Sequence, residues 1–274
     1  MDNILLLIKY IFLGIIQGFT EPLPISSSGH LVIFQELFNL SIEGINFEII
    51  VNTGSLIAII IIFYKDIVSL VKNSFLYLFK KQVEFKKDFL YVVMLVIAVI
   101  PAGLIGFIFK DSFDVISDNL WVVGISLLIT AFALSLVGKA AVENTNEELT
   151  FTDALIIGIF QIFALIPGIS RSGSTMVGGL SRKIKFEDTM KFSFLLYIPI
   201  SLAASLLSIF ELSSSEDTFI AGYISAFLIS IVTTYFAVKW FFKMVRKGNL
   251  KYFSIYCFIV GTLVIISKII IEVI

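Results

Sequence analysis

The stretch EPLPISSSGH, residues 21–30, interrupts what would otherwise be the first apolar helix of the chain. It follows the apolar residues 4–20 directly, and only a short apolar piece, 31–38, comes after it. The second half repeats this arrangement, because the apolar residues 154–166 lead into PGISRSGST, residues 167–175. A membrane span needs about 20 mostly apolar residues. Each segment is too interrupted for one span and too short for two, so we interpret both as re-entrant helix–loop–helix hairpins.

The composition requires a membrane around these hairpins. Hydrophobic residues make up 58% of the 274 residues and charged residues 15%, and the mean hydropathy is +1.01. Soluble globular chains are nearer to about 45–50% apolar and about 25% charged. The excess apolar surface must face membrane lipids. The net charge of −1 gives no attraction to nucleic acid, so we expect no nucleic-acid partner.

The rest of the chain predicts an all-α polytopic membrane protein with a single integral membrane domain, 1–274. Outside the two interrupted segments, further stretches are long and apolar enough to cross a bilayer. There are six of them, at about 47–64, 89–109, 120–138, 189–210, 219–241 and 252–272.

Basic residues predict the orientation. Most of the 20 lysines and arginines lie in the segments 65–88, 139–153, 181–191 and 242–251, which share one side if both hairpins are re-entrant. The positive-inside rule places that side in the cytoplasm and both termini outside. Counting either hairpin as two full crossings preserves this pattern. The charges therefore indicate orientation, whereas re-entrance depends on length and polarity.

The two halves of the chain resemble each other. A shift of 144 positions aligns several identical residues, namely Gly14 with Gly158, Gln17 with Gln161, Ser26 with Ser170, and Gly29 with Gly173. Each half then continues with three spans, and the second half starts on the opposite side of the membrane from the first. This pattern predicts two inverted-topology repeats, 1–140 and 153–274, joined by a cytoplasmic linker, 141–152. In such folds, interrupted helices from both halves meet near the midplane and bind a ligand.

The polar loops have the chemistry of a phosphate site. Each serine- and glycine-rich stretch lies at the start of a short helix, where unpaired N–H groups and the helix dipole favour anions. The guanidinium of Arg171 can hold two phosphate oxygens. For any single serine, helix capping is the simpler explanation. Capping does not explain Arg171, because a charge at this depth is costly and tends to mark a site.

Two more residues of the first loop suggest catalysis. His30 is the only histidine of the chain and can exchange a proton near neutral pH. Glu21 needs a partner inside the membrane, which Arg171, His30 or a divalent cation can provide. Gln17 lies four residues earlier on the same helix face and offers a neutral oxygen. We therefore predict Glu21 and Gln17 as the ligands of any metal ion.

These motifs resemble those of a known family. Gln17-x-x-x-Glu21, the stretch from Pro24 to His30, and the stretch from Pro167 to Thr175 are similar to the signatures of the undecaprenyl-diphosphatase family, also called the bacitracin-resistance protein family. The likeness covers essentially the whole chain. It implies hydrolysis of undecaprenyl diphosphate to the monophosphate carrier of peptidoglycan synthesis, and bacitracin resistance. It also implies a plasma-membrane enzyme that forms a homodimer and uses Mg²⁺ or Ca²⁺.

The resemblance also implies which residues act. The family's functional positions correspond to Glu21, Ser27, His30, Ser170, Arg171 and Thr175. We predict four of these as catalytic, namely Glu21, Ser27, His30 and Arg171. The residues predicted to bind phosphate are Ser26, Ser28, Gly29, Gly168, Ser170, Ser172, Gly173 and Thr175. Many members carry a second glutamate where this chain has Gln17, which puts a two-carboxylate metal site in doubt.

The mechanism predicted at this stage has open alternatives. The substrate is expected to enter from the outer face, and Ser27 is expected to attack the terminal phosphorus while Glu21 or His30 relays protons. The alternatives to attack by Ser27 are attack by His30 and attack by a metal-bound water. A secondary transporter or lipid flippase is the rival function, since inverted repeats with interrupted helices are common in transporters.

Overall fold

The fold was obtained as a computed structural model, which describes residues 2–40, 46–138, 148–211, 219–245 and 250–273. These residues form α-helices and one 3₁₀ turn, Val83–Phe85, and no strand occurs among them. The helices are α1 (Asp2–Thr20), α2 (Ser27–Leu37), α3 (Asn46–Ile62), α4 (Tyr64–Lys80), α5 (Lys86–Ile108), α6 (Lys110–Ile116), α7 (Leu120–Val137), α8 (Phe151–Phe163), α9 (Arg171–Ser181), α10 (Phe186–Glu211), α11 (Ile220–Val245) and α12 (Lys251–Val273). Residues 141–147 of the predicted linker lie outside the described residues.

The prediction of an all-α polytopic membrane protein is confirmed. Among the described residues, six helical stretches are long and apolar enough to span a membrane, namely α1, α5 with the 3₁₀ turn before it, α7, α10, α11 and α12. Many large apolar side chains on these helices are exposed on the outside of the bundle, as lipid-facing residues must be. The helices α1, α5, α7, α10, α11 and α12 therefore form the membrane-spanning frame of the protein.

The predicted span 47–64 differs from the observed structure at its end. Helix α3 stops at Ile62, and the chain turns by 72° at Phe63 into α4. Helix α4 carries lysines among its apolar residues and has no buried side chain. Ile62, Phe63 and Tyr64 are all apolar or aromatic, so hydropathy alone gave no sign of the bend at Phe63. If α3 and α4 count as one broken span, the described ranges contain up to seven spans.

The two interrupted segments differ in length. Helix α1 qualifies as a span by itself, whereas α8 has only 13 residues. Re-entrance of both segments, and the inverted relation between the halves, therefore stay predictions.

Matched packing at two glycines supports the predicted repeat. A Cβ atom added to Gly14 on α1 would lie 2.5 Å from the carbonyl oxygen of Ala226 on α11. A Cβ added to Gly158, the counterpart of Gly14, would lie 2.5 Å from the carbonyl oxygen of Ala98 on α5. Only glycine permits so close a crossing. Each half thus packs its first helix against a helix of the other half, in the same manner.

Candidate active site

The starts of α2 and α9 are built alike. The Oγ atom of Ser26 accepts a hydrogen bond from the N–H of Gly29 at 3.2 Å, and Ser170 Oγ accepts from the N–H of Gly173 at 3.1 Å. The simpler explanation, helix capping, therefore holds for these two serines. The first N–H groups of each helix still have no partner within the helix. Two helix N-termini, one from each half, are thus available to an anion.

A tight glycine contact brings the two loops together. Gly168 has a φ angle of +87°, a left-handed conformation that favours glycine. A Cβ atom there would lie 2.9 Å from Val123 Cα and Ser126 Cβ on α7. A Cβ on Gly29 would lie 3.1 Å from Gly168 Cα. Both glycines thus shape the junction of the loops.

A buried ion pair joins the halves at this junction. Arg171 Nη2 donates to Glu21 Oε1, and the two side chains are 18% and 5% exposed. The other oxygen of Glu21 accepts from Ser27 Oγ at 2.5 Å and from Gln17 Nε2 at 3.1 Å. Three of the four predicted catalytic residues, Glu21, Ser27 and Arg171, thus form one connected group.

Tyr197 on α10 orients Arg171. The guanidinium carbon of Arg171 lies 3.9 Å from the centre of the Tyr197 ring, a cation–π contact. The Tyr197 hydroxyl donates to the backbone oxygen of Asn52 on α3 at 3.0 Å. Sequence patterns gave no reason to select Tyr197, because an aromatic residue in an apolar span is usually a packing residue.

A cavity of about 440 Å³ opens beside this group. Seven of the predicted residues line it: Glu21, Ser26, Ser27, Ser28, Ser170, Arg171 and Ser172. Six others do not appear in its lining: Gln17, Gly29, His30, Gly168, Gly173 and Thr175. Small and apolar residues form another part of the wall, including Ala102, Gly103, Gly106, Ala164 and Ala204. The part of the wall formed by the two loops is therefore polar, and the part formed by these small residues is apolar.

A larger cleft, about 750 Å³, lies elsewhere, among α4, α5 and α10. Charged side chains of both signs line it, such as Asp66, Lys87 and Glu148, and it contains none of the predicted site residues. The cleft lies along the predicted cytoplasmic loops. Neither Arg171 nor any residue at the starts of α2 and α9 lines this cleft, so the smaller cavity is the better candidate for the active site.

His30 lies behind the loop, not in the cavity. Its side chain is 2% exposed. The Nδ1 atom lies 2.7 Å from the backbone oxygen of Ser26, and Nε2 lies 2.8 Å from the Tyr256 hydroxyl. A carbonyl oxygen only accepts, so Nδ1 carries the proton and the neutral ring accepts at Nε2. Both ring nitrogens are thereby engaged, and one of them holds the residue that caps α2.

Thr175 is also behind the cavity. Its hydroxyl oxygen lies 3.1 Å from the backbone oxygens of Arg171 and Ser172 and 2.5 Å from Ser193 Oγ on α10. The side chain is fully buried. These contacts fix the first turn of α9, and with it the position of Arg171.

Comparisons with known proteins identify the family of the chain. The model of the family "Bacitracin resistance protein BacA" matches residues 10–263. The chain belongs to the BacA family. It is 47% identical to "Undecaprenyl-diphosphatase 2" of Bacillus thuringiensis (strain Al Hakam), over 97% of this chain and 99% of that protein. It is 45% identical to "Undecaprenyl-diphosphatase" of Oceanobacillus iheyensis, over 97% and 98% of the two chains. The resemblance inferred from the sequence motifs is confirmed.

Several cavity residues of this BacA protein were not selected from the sequence. They are Glu48, Lys110, Ser117, Gln161, Tyr197 and Ser201. Two of them carried a usable signal. Glu48 is a carboxylate at the start of a predicted span, and Gln161 is the repeat counterpart of Gln17. The polar residues of the other helices become neighbours only when the helices pack.

The Gln17–Glu21 pair does not fit a divalent cation in this BacA structure. Glu21 already binds Arg171 and Ser27, and Gln17 turns its Nε2 toward the carboxylate. Hard cations need several oxygen ligands. Within the described ranges no group of three His, Cys, Asp or Glu side chains is placed to hold a metal. Glu48 lines the cavity, and no hydrogen bond or ion pair joins it to another described residue, so its carboxylate is the more open one.

Proposed function

We propose that this protein hydrolyses undecaprenyl diphosphate to undecaprenyl phosphate and inorganic phosphate, and thereby recycles the lipid carrier of peptidoglycan synthesis in a bacterial plasma membrane. The names of its relatives support the substrate. The chemistry rests on one observation. The group Arg171–Glu21–Ser27 lies in the polar part of the cavity wall, to which the N-termini of α2 and α9 also contribute. Bacitracin resistance follows from the same activity, because hydrolysis of the diphosphate replenishes the monophosphate carrier.

Binding of the diphosphate relies on fixed positive groups. Arg171 retains N–H groups beyond the one that binds Glu21, and the starts of α2 and α9 add backbone N–H donors. These groups are in place before the substrate arrives. Preorganised donors stabilise the charge that develops on the transferred phosphoryl group, which is the main task in phosphoryl transfer.

Ser27 is the best placed nucleophile. Its oxygen lies 2.5 Å from Glu21 Oε2, which can accept the hydroxyl proton as the Ser27 oxygen bonds to the terminal phosphorus. The bond from that phosphorus to the bridging oxygen breaks, and undecaprenyl phosphate leaves. Water then attacks the phosphoserine, and inorganic phosphate departs as the Ser27 hydroxyl is restored. Attack by His30 and attack by a metal-bound water are supported less directly, because His30 does not line the cavity and the Gln17–Glu21 pair does not fit a metal.

Cation dependence, orientation and assembly are further parts of the proposal. Mg²⁺ is usually held by one or two carboxylates together with substrate phosphates, and Glu48 is a suitable carboxylate. When bound, such an ion would neutralise phosphate charge. Lys110 and Ser117, beyond the extracytoplasmic end predicted for α5, line the cavity, which supports an opening to the outer side. Homodimer formation and the external position of both termini are implied by resemblance and by the charge pattern.

Purified protein tests the function directly. In detergent, it should release inorganic phosphate from undecaprenyl diphosphate, with EDTA lowering and Mg²⁺ or Ca²⁺ restoring the rate. A transporter or flippase would release none, so the absence of phosphate under every cation condition would favour the rival function. Cation titration of the same preparation measures the metal requirement.

Substitutions at His30 distinguish a role in proton relay from a role in positioning the start of α2. In His30→Asn, the amide nitrogen can still donate to the Ser26 backbone oxygen, whereas His30→Leu offers no donor. We expect His30→Asn to keep kcat within about tenfold of wild type and His30→Leu to lose about a hundredfold, because the lost donor frees the cap of α2. Steady-state kinetics measure both. Equal losses in the two variants, with a flattened pH profile, would indicate proton relay instead.

A further inference from the structure

Gln161 is a buried amide that has no partner in the described parts of the chain. Its side chain is 2% exposed, and neither Oε1 nor Nε2 has a hydrogen-bond partner. Gln161 also lines the cavity. Buried polar groups are nearly always hydrogen-bonded, so an unpaired amide that faces a cavity needs an explanation.

Gln17, the repeat counterpart of Gln161, has a hydrogen-bond partner that Gln161 lacks. Gln17 donates from Nε2 to Glu21, four residues later on the same helix face. The residue four positions after Gln161 is Leu165, which has nothing to accept a hydrogen bond. Gln17 is absent from the cavity lining, whereas Gln161 belongs to it. One half therefore uses its glutamine to hold the catalytic carboxylate, and the other half leaves its glutamine available.

Gln161 lies beside the apolar part of the cavity wall. Along α8, Gly158 packs on Ala98 of α5, and a Cβ on Gly106 of α5 would contact Leu165. Gln161 falls between these two contacts and so lies near Ala102 and Gly103, which line the apolar wall. A Cβ added to Gly103 would meet no atom within 4 Å. This part of the wall has room for a hydrocarbon chain, whereas Arg171 and Ser27 belong to the polar part.

We propose that Gln161 binds the phosphate that stays on the lipid, with Nε2 donating to one of its oxygens. This inference rests on the proposed function. The phosphate attached to the prenyl chain lies on the apolar side of the substrate, and the terminal phosphate lies toward Arg171 and Ser27. Gln161 therefore positions the leaving group, and the bond that breaks lies between the two sets of contacts.

Gln161→Leu tests the inference, with Thr189→Val as its matched control. Thr189 also has a buried, unpaired side-chain oxygen, but it does not line the cavity. Replacing either group by an apolar one should leave the melting temperature of the ligand-free protein unchanged or higher, because no hydrogen bond is lost. Only Gln161→Leu should raise KM for undecaprenyl diphosphate, by roughly tenfold to a hundredfold, the range for a hydrogen bond to a charged group.

Binding of the product gives a readout that does not depend on turnover. Undecaprenyl phosphate should raise the melting temperature of wild type and of Thr189→Val, and should raise that of Gln161→Leu much less. Inorganic phosphate should inhibit all three proteins equally. If Gln161→Leu weakens inhibition by inorganic phosphate instead, the amide holds the terminal phosphate and the inference is overturned.

An unchanged KM together with an unchanged response to undecaprenyl phosphate in Gln161→Leu also overturns it. A structural role would appear as a lower melting temperature of the ligand-free variant, with the product response intact. Failure of the proposed function has a different signature, because wild type itself would then release no phosphate. In that case the product-binding comparison still decides whether Gln161 holds a lipid phosphate.

Discussion

Arg171→Ala is expected to lower phosphate release from undecaprenyl diphosphate by at least about a thousandfold. The guanidinium lies in the polar part of the cavity wall, together with residues from the starts of both short helices. Arginines that stabilise the transferred phosphoryl group contribute about 10³–10⁵ in kcat in other phosphoryl-transfer proteins. Steady-state phosphate release by the purified variant measures the loss.

Arg182→Ala is the matched control for this prediction. Arg182 also forms an ion pair, with Asp153 at 2.7 Å, but it does not line the cavity. Its side chain is 44% exposed, and Asp153 keeps the hydrogen bonds that it accepts from Thr150 when Arg182 is removed. We expect kcat within about threefold of wild type for Arg182→Ala. Near-normal phosphate release by Arg171→Ala would refute the role of Arg171 as the phosphate clamp.

Loss of folding must be separated from loss of chemistry at Arg171. Alanine leaves the buried carboxylate of Glu21 without its partner, which can destabilise a protein by about 3–5 kcal/mol. Arg171→Lys keeps the charge and the ion pair but loses the planar fork and the stacking on Tyr197. We expect Arg171→Lys to melt near the wild-type temperature and still to lose about a hundredfold in kcat. Wild-type kcat in this variant would show that charge alone suffices.

The connection between Arg171 and Glu21 was predictable, and its cause is general. Both residues stand in polar stretches that interrupt apolar segments, where an unpaired charge is too costly to be incidental. The repeat then implied that the two stretches meet. Composition and periodicity were enough for the helical class, because they report directly on which surface must face lipid.

The positions of His30 and Thr175 were not predictable from their motifs. A motif shows that residues are near each other in sequence, but not which face of a short helix each occupies. The cavity wall includes Ser26, Ser27 and Ser28 at the start of α2, whereas His30, one turn later, is absent from the wall and contacts Tyr256. Tyr256 is 226 residues away in sequence, so no local pattern connects it with His30.

Ser27→Ala is expected to lower kcat by at least about a thousandfold while KM changes little. The substitution removes the attacking oxygen, whereas the donors that hold the diphosphate, chiefly Arg171, stay in place. Ser28→Ala is the comparison variant. Its hydroxyl lines the same cavity but lies 3.4 Å from Ser26 Oγ and makes no bond to Glu21. We expect Ser28→Ala to lose no more than about tenfold, the value for one neutral hydrogen bond.

The chemistry of a trapped intermediate distinguishes Ser27 from both alternatives. With substrate labelled on the terminal phosphate, acid quenching of wild type should leave label on the protein, because phosphoserine survives acid. Phosphohistidine does not survive acid but survives base, so label retained only after a basic quench would indicate His30. Direct attack by water would leave the protein unlabelled under both conditions. We expect the first result, because at Ser27 a nucleophile, its base and the phosphate cavity coincide.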